Sequence, residues 1–322
     1  MNYKQLTTNE RYQIYTLKKE GFSQKAIADS LGRDASTISR ELRRNTGLRG
    51  YRPRQAQLLT ENRRRTASKS YKICPVIYAN IVRLLRQELS PEQIVNYLRD
   101  ENIVSLHHES IYKLVYEDKA CGGDLHKHLR IVSKPYRKRY GSYDNRGKIK
   151  NRVSIEKRPL LVERRCRIGD WEGDTIIGKG RQSALLTLVE RKTLYTVIVK
   201  IQGKKSAELA DAMISVMTAY KHQLKTLTFD NGHEFSQHER IAKALDVKVY
   251  FAHPYSSWER GINENTNGLI RQYFPKSMDL NKVTQAQIDF VMNRLNNRPR
   301  KTRDYKTPNE MFTGLRENLL AA

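Results

Sequence analysis

The feature that most constrains this 322-residue chain lies in its second half, where short β-rich runs give way to alternating helices and strands. Arg167 to Ile177 (RIGDWEGDTII), Ala184 to Val189 and Leu194 to Ile201 are rich in β-branched and aromatic residues, with turn-sized gaps between them, as in an antiparallel meander. Ser206 to Tyr220 then carries Leu209, Met213, Val216 and Met217 at helical spacing. Lys225 to Asp230 reads as a strand stopped by Asn231-Gly232. A helix near Phe235 to Leu245, a strand from Val247 to Phe251 and a helix from about Trp258 to Tyr273 complete the run. Strands joined through helices run parallel, because a parallel pair needs a crossover connection. The pattern therefore predicts a mixed sheet covered by helices.

The order β-β-β-α-β-α-β-α is the plan of the ribonuclease H fold. On that plan three carboxylates fall where strand ends and a helix bring them together: Asp174 on the first strand, Asp230 ending the fourth, and Glu264 on the helix after the fifth. Clustered carboxylates repel one another unless cations neutralise them. Two Mg²⁺ ions, roughly 3.5–4 Å apart, would do so and would suit phosphoryl transfer. Asp170, Glu172 and Asp174 alternate, so all three point to one face of a strand and parity does not choose among them. At the third station Glu259 competes with Glu264. Arg260, Glu264, Asn267 and Arg271 form one polar stripe of the helix, with Glu264 in its middle, and the other three are candidates to position DNA phosphates.

The first half is helical. Gln24 to Leu42 (QKAIADSLGRDASTISREL) carries Ile27, Ala28, Leu31, Ile38 and Leu42 at spacings that suit two short helices, with Gly32 at a turn that needs positive φ. This is the helix-turn-helix plan, supported by a preceding helix over Thr8 to Glu20. Its second helix presents Ser36, Thr37, Ser39, Arg40 and Arg43 outward, where a recognition helix carries base-edge and phosphate donors. A second helical pair spans Ser90 to Tyr116. Ser90-Pro91-Glu92-Gln93 is a helix start, and Ser105 is the expected cap of the following helix. His107 and His108 lack a cysteine or carboxylate at ligand spacing, so His108 reads as a surface or DNA-contacting residue.

Lys plus Arg number 60 against 34 Asp plus Glu, a net charge of +26 spread over both halves, which makes a polyanion the first partner to consider. Charge alone names no activity. Lys134 to Arg167 holds 13 basic and 3 acidic residues with few apolar positions, and reads as an extended linker along phosphates. The expected organisation is an all-α helix-turn-helix domain over 1–65, a second helical DNA-binding domain over 66–133, a basic linker over 134–166 and an α/β catalytic domain over 167–322. Cys74, Cys121 and Cys166 are too far apart for a C-x-x-C pair and read as reduced thiols. No apolar stretch approaches the roughly 18 residues of a membrane span. A cytoplasmic, nucleoid-associated protein with no membrane partner is expected.

Three stretches carry a specific resemblance: WEGDTIIG (Trp171 to Gly178), FDNGHEF (Phe229 to Phe235) and PYSSWERGINENTNGLIRQYFPK (Pro254 to Lys276). They resemble the transposases of the IS-thirty group of bacterial insertion sequences. Between Asp230 and Glu264 lie 33 residues, the interval characteristic of the wider D-D-E transposase and integrase family. The resemblance runs through nearly the whole chain, including the SPEQI segment and the late LNNRPRKTRDYKTPNEMF. It implies a catalytic triad, selects Asp174 on the first strand, and implies Mg²⁺ or Mn²⁺, cleavage at terminal inverted repeats, and strand transfer into target DNA by a 3′-hydroxyl. Double-stranded DNA and a homo-oligomer, at least a dimer on DNA, are the expected partners. The competing expectation is a DNA-binding regulator with an inactive nuclease domain.

Overall fold

The computed structural model describes residues 5–67, 72–129, 149–181, 183–202, 205–254 and 256–321. The chain divides into two compact units, Met1–Tyr71 and Lys72–Ala322.

In the first unit four helices, α1 (Thr8–Lys19), α2 (Gln24–Leu31), α3 (Ala35–Asn45) and α4 (Pro53–Thr66), surround one small core. Each start is chemically marked. Thr7 and Glu10 form a capping box on α1, Ser23 caps α2, and the Asp34 carboxylate accepts the Ser36 N–H at 2.8 Å at the head of α3. Gly32 ends α2 at φ 60°, a conformation that costs glycine little and other residues more, so the two helices can close into the expected turn. Ile14, Ile27, Ile38 and Ala56 are fully buried or nearly so. Each isoleucine removed from water contributes about 1.5–3 kcal/mol. One ion pair lies inside: Arg11 Nε donates to Glu41 Oε1 at 2.8 Å, and the Tyr51 hydroxyl donates to the same oxygen at 3.1 Å.

The second unit begins with α5 (Pro75–Arg86), α6 (Pro91–Asp100) and α7 (His108–Ala120), packed through Leu84, Ile94, Leu98, Ile111 and Val115. Ser90 and Gln93 form a capping box on α6. The cap of α7 is His107 rather than Ser105, its Nδ1 facing the Glu109 N–H at 3.4 Å. These helices share their compact unit with the sheet, and the C-terminal segment ties them to it. Leu319 and Leu320 pack on their core, Arg83 donates to Leu320 O at 2.9 Å, and Gln93 donates to Pro299 O at 2.7 Å.

The sheet has five strands in the order β3-β2-β1-β4-β5: β1 (Asp170–Ile177), β2 (Ala184–Glu190), β3 (Thr196–Ile201), β4 (Thr226–Phe229) and β5 (Lys248–Phe251). The first three pair antiparallel, and β4 and β5 join parallel. Helices α8 (Ser206–Thr218) and α9 (His238–Leu245) make the crossovers; α10 (Gly261–Tyr273) and α11 (Gln285–Asn296) follow, and α12 (Pro308–Thr313) closes the chain. This is the mixed, helix-covered sheet that the element order predicts. Trp171 on β1 is fully buried among Tyr195, Tyr220 and Phe312, which fixes the strand's other face for Asp170, Glu172 and Asp174.

The expected linker differs from what its charge implies. Of 134–166, residues 134–148 lie outside the described residues, and 149–166 pack on the sheet. Phe251 N–H donates to Val153 O at 2.8 Å, Ile149 and Val162 are buried, and Arg158 is 5% exposed. A run of basic residues hides an inward-facing arginine because the carboxylates that neutralise it, Glu163 and Glu172, are remote in charge counting but adjacent in space.

Candidate active site and candidate DNA-binding helix

The parallel register pairs Asp170 with Thr226 and Glu172 with Thr228, so two residues further along Asp174 runs beside Asp230. Gly173 allows this approach, since a Cβ there would stand 2.7 Å from the Phe229 ring. Of the three alternating acids on β1, Asp170 and Glu172 are each 1% exposed and matched inside the protein. Arg167 holds Asp170 through two contacts at 2.9 Å, and Arg191 holds Glu172. Asp174 is the one that opens on a pocket of about 360 Å³, lined also by Arg260, Glu264, Asn267, Arg271 and Lys276.

Burial pushes the Asp174 carboxyl up; Arg260 opposes that shift, while Asp230 and Glu234 add to it. Asp174 Oδ2 accepts the Asn267 side-chain amide at 2.7 Å, and Asp230 Oδ1 accepts the Gly232 N–H at 2.9 Å. Glu264 is exposed on the first turn of α10. Its rival Glu259 precedes the α-helix in a 3₁₀ turn, where its carboxylate accepts the His253 N–H at 2.8 Å and meets the His253 ring at 2.7 Å.

The stripe expected to meet phosphates turns much of its polarity inward. Arg260 donates to Gly173 O at 3.2 Å, Arg271 donates to Ile177 O at 2.7 Å, and Asn267 joins Asp174 to Thr187. These contacts dock α10 on β1, a consequence of tertiary pairing that helical periodicity alone does not carry. Two contributors went unread in the sequence. Glu234, within the FDNGHEF stretch, accepts the Thr175 hydroxyl at 2.9 Å, and the Arg158–Arg191–Glu163–Glu172 network lies beneath the aspartates. The four-residue step from Asp230 to Glu234 was the available signal for the first. Nothing local marks the second.

In the first unit Ser36, Ser39, Arg40 and Arg43 are exposed on α3 and Thr37 is half-buried, all on the side away from Ile38 and Leu42. On α7 His108 is half-buried, its ring 4.2 Å from that of His107 between centroids and tilted to it, and edge-on to Tyr112.

A helix-turn-helix domain family matches residues 2–45, and an integrase core domain family matches residues 164–257. The transposase for insertion sequence element IS4351 of Bacteroides fragilis is 44% identical over 96% of this chain and 95% of its own length. The chain belongs to the IS-thirty family of insertion-sequence transposases. Transposase InsI for insertion sequence element IS30A of Escherichia coli is 38% identical over 95% of this chain and 83% of its own length. For IS1086 of Cupriavidus metallidurans the figures are 36%, 98% and 96%. The transposase is thus a polynucleotidyl transferase with a helix-turn-helix domain and a ribonuclease H-like integrase core.

Integrase cores of this family use divalent metal ions. The oxygen-only donor set of the transposase has the chemistry for a hard cation, with two carboxylates already facing a single shared positive group. Among the described residues no three acidic, histidine or cysteine side chains stand close enough to hold an ion together. No helix among the described residues is long and apolar enough to cross a membrane.

Proposed function

We propose that the transposase binds the terminal inverted repeats of its element through α3 and cuts and joins DNA at Asp174, Asp230 and Glu264. The observation that carries this reading is that Asp174 and Asp230 face one guanidinium, Arg260, at 3.8 and 3.3 Å, with Glu264 on the wall of the Asp174 pocket. These three carboxylates would hold two divalent ions, Mg²⁺ or Mn²⁺. When bound, such ions activate the attacking oxygen and stabilise the leaving one. Asn267 orients Asp174, the Gly232 N–H orients Asp230, and Lys276 with Arg271 offers positive charge to the DNA backbone on the open side.

Ser36, Thr37, Ser39, Arg40 and Arg43 supply base-edge and phosphate donors, with His108 as a further DNA contact from α7. Two ends must be handled in one event, so the working form is at least a dimer on DNA, acting in the cytoplasm at the nucleoid. The regulator alternative predicts binding without cutting.

Cleavage of a duplex carrying the terminal repeat tests the triad. Asp174→Asn, Asp230→Asn and Glu264→Gln should each lose at least about 100-fold in rate, roughly 2.7 kcal/mol of transition-state stabilisation, with unchanged band shifts. Glu259→Gln should cut nearly as wild type. An active Glu264→Gln protein beside an inactive Glu259→Gln protein would sink the third ligand.

A further inference from the structure

Arg260 lies between the two aspartates. Its Nη2 is 3.3 Å from Asp230 Oδ2, its Nη1 is 3.8 Å from Asp174 Oδ1, and Nη1 also donates to Gly173 O at 3.2 Å. The side chain is 11% exposed, so its charge is given to carboxylates and largely withheld from solvent. A third acid, Glu234, lies beside Asp230. A Cβ on Gly232 would stand 2.6 Å from Glu234 Oε2 and 2.8 Å from Asp230 Oδ1, so both oxygens converge over that glycine. The Glu234 charge also reaches Asp174.

We propose that Arg260 is a displaceable counter-cation: it holds Asp174 and Asp230 together, and a divalent ion on those carboxylates and this guanidinium exclude each other. The inference rests on the reading of the two aspartates as metal ligands. For an ion to reach their carboxylate oxygens the Arg260 side chain must move away from them. A small divalent ion needs oxygens at about 2.0–2.1 Å, hence the same lone pairs that the arginine now faces. Removing one unit charge a few ångströms from a divalent ion strengthens its binding by about tenfold even in a strongly screening medium.

The sign of the effect separates this role from a supporting one. A residue that only organises the site weakens ion binding when removed, whereas a competitor strengthens it. Titration of the full chain with Mn²⁺, followed by loss of the free-ion paramagnetic resonance signal, reads that sign without any DNA. Arg260→Gln should bind Mn²⁺ about tenfold more tightly than wild type, and its thermal midpoint without added ion should fall and recover on addition of Mn²⁺. Arg260→Lys keeps a charge but replaces the bridging fork with a single ammonium, and should bind about threefold more tightly. That variant decides the matter if circular dichroism shows Arg260→Gln to be unfolded. Unchanged or weaker binding in the folded variants overturns the proposal. Asp174→Asn distinguishes the two levels of inference: if it leaves Mn²⁺ affinity unchanged, the metal-ligand reading itself fails, whereas loss of binding there with no gain in Arg260→Gln condemns the counter-cation alone.

Discussion

The two units treat charge in opposite ways. In the helix-turn-helix unit the charged side chains of α3 point outward, and the buried pair Arg11–Glu41 is the exception. In the sheet unit Arg158, Arg191, Asp170, Glu172 and Glu190 are all at most 5% exposed, the three acids on β1 and β2 themselves. A net charge of +26 counts both populations alike, yet an arginine locked on a carboxylate attracts no phosphate. Basic excess therefore corresponds to exposed charge on α3 in the first unit and in part to buried, paired charge in the second. There, part of the charge is spent on holding β1 and β4 in register: Arg191 grips Glu172, and Arg158 donates to Thr228 at 2.9 Å, each two residues before a candidate aspartate.

The largest effect should come from breaking that inner network. Arg191→Ala leaves Glu172 buried without its principal partner, and uncompensated buried charges cost about 3–5 kcal/mol. Chemical denaturation of the full chain should show this loss in the transition of the sheet unit. Arg40→Ala, which removes an equal charge from α3, should stay within about 0.5 kcal/mol of wild type. Equal effects at the two positions would erase the distinction between structural and DNA-facing charge.

The same contrast explains how much was legible in the sequence. Helical spacing shows which side of α3 is wet, because one turn of core residues fixes the orientation of every other side chain, and Gly32 marks the turn by its conformational freedom. The order of strands and helices along the chain was equally readable, since β-branched runs alternate with helical spacing. Parity on β1 was not enough: Asp170, Glu172 and Asp174 share one face, and only their partners Arg167 and Arg191, one near in sequence and one across the β1–β2 turn, separate buried acids from the open one. The inward contacts of Arg158 and Arg260 are not legible in the sequence for a similar reason. A long side chain points wherever its partner is, and the partner lies far along the chain.

A second test uses acid. The hydrogen bond from Arg33 holds the Glu10 carboxyl down at about 2, against burial, with help from the Thr7 cap. A carboxylate lowered in the folded state contributes stability that is fully present above its ordinary value near 4.5 and disappears as pH falls toward 2. The pair is partly exposed, so its worth is on the order of 1–2 kcal/mol after screening. Wild type should therefore exceed Glu10→Gln in thermal midpoint at neutral pH, and the gap should close between about pH 4.5 and 2. A gap that stays constant across this window would remove Glu10–Arg33 as a pH-linked support of α1.

The smallest change in stability, and the one most informative about DNA, is expected for Arg40→Ala with Arg43→Ala. Both side chains are exposed on α3 and their removal uncovers no core, so the thermal midpoint should scarcely move. If each neutralises one phosphate, the slope of log affinity against log salt should become shallower by about 0.9 per arginine, or about 1.8 for the pair. A base-reading arginine adds a second signature: the loss is then larger on the terminal repeat than on unrelated duplex, because a bidentate contact to one base contributes about 1–3 kcal/mol of discrimination. Equal losses on both duplexes would make α3 a backbone clamp and move sequence reading to other residues. An unchanged salt slope, with the protein folded, would take Arg40 and Arg43 off the DNA surface altogether.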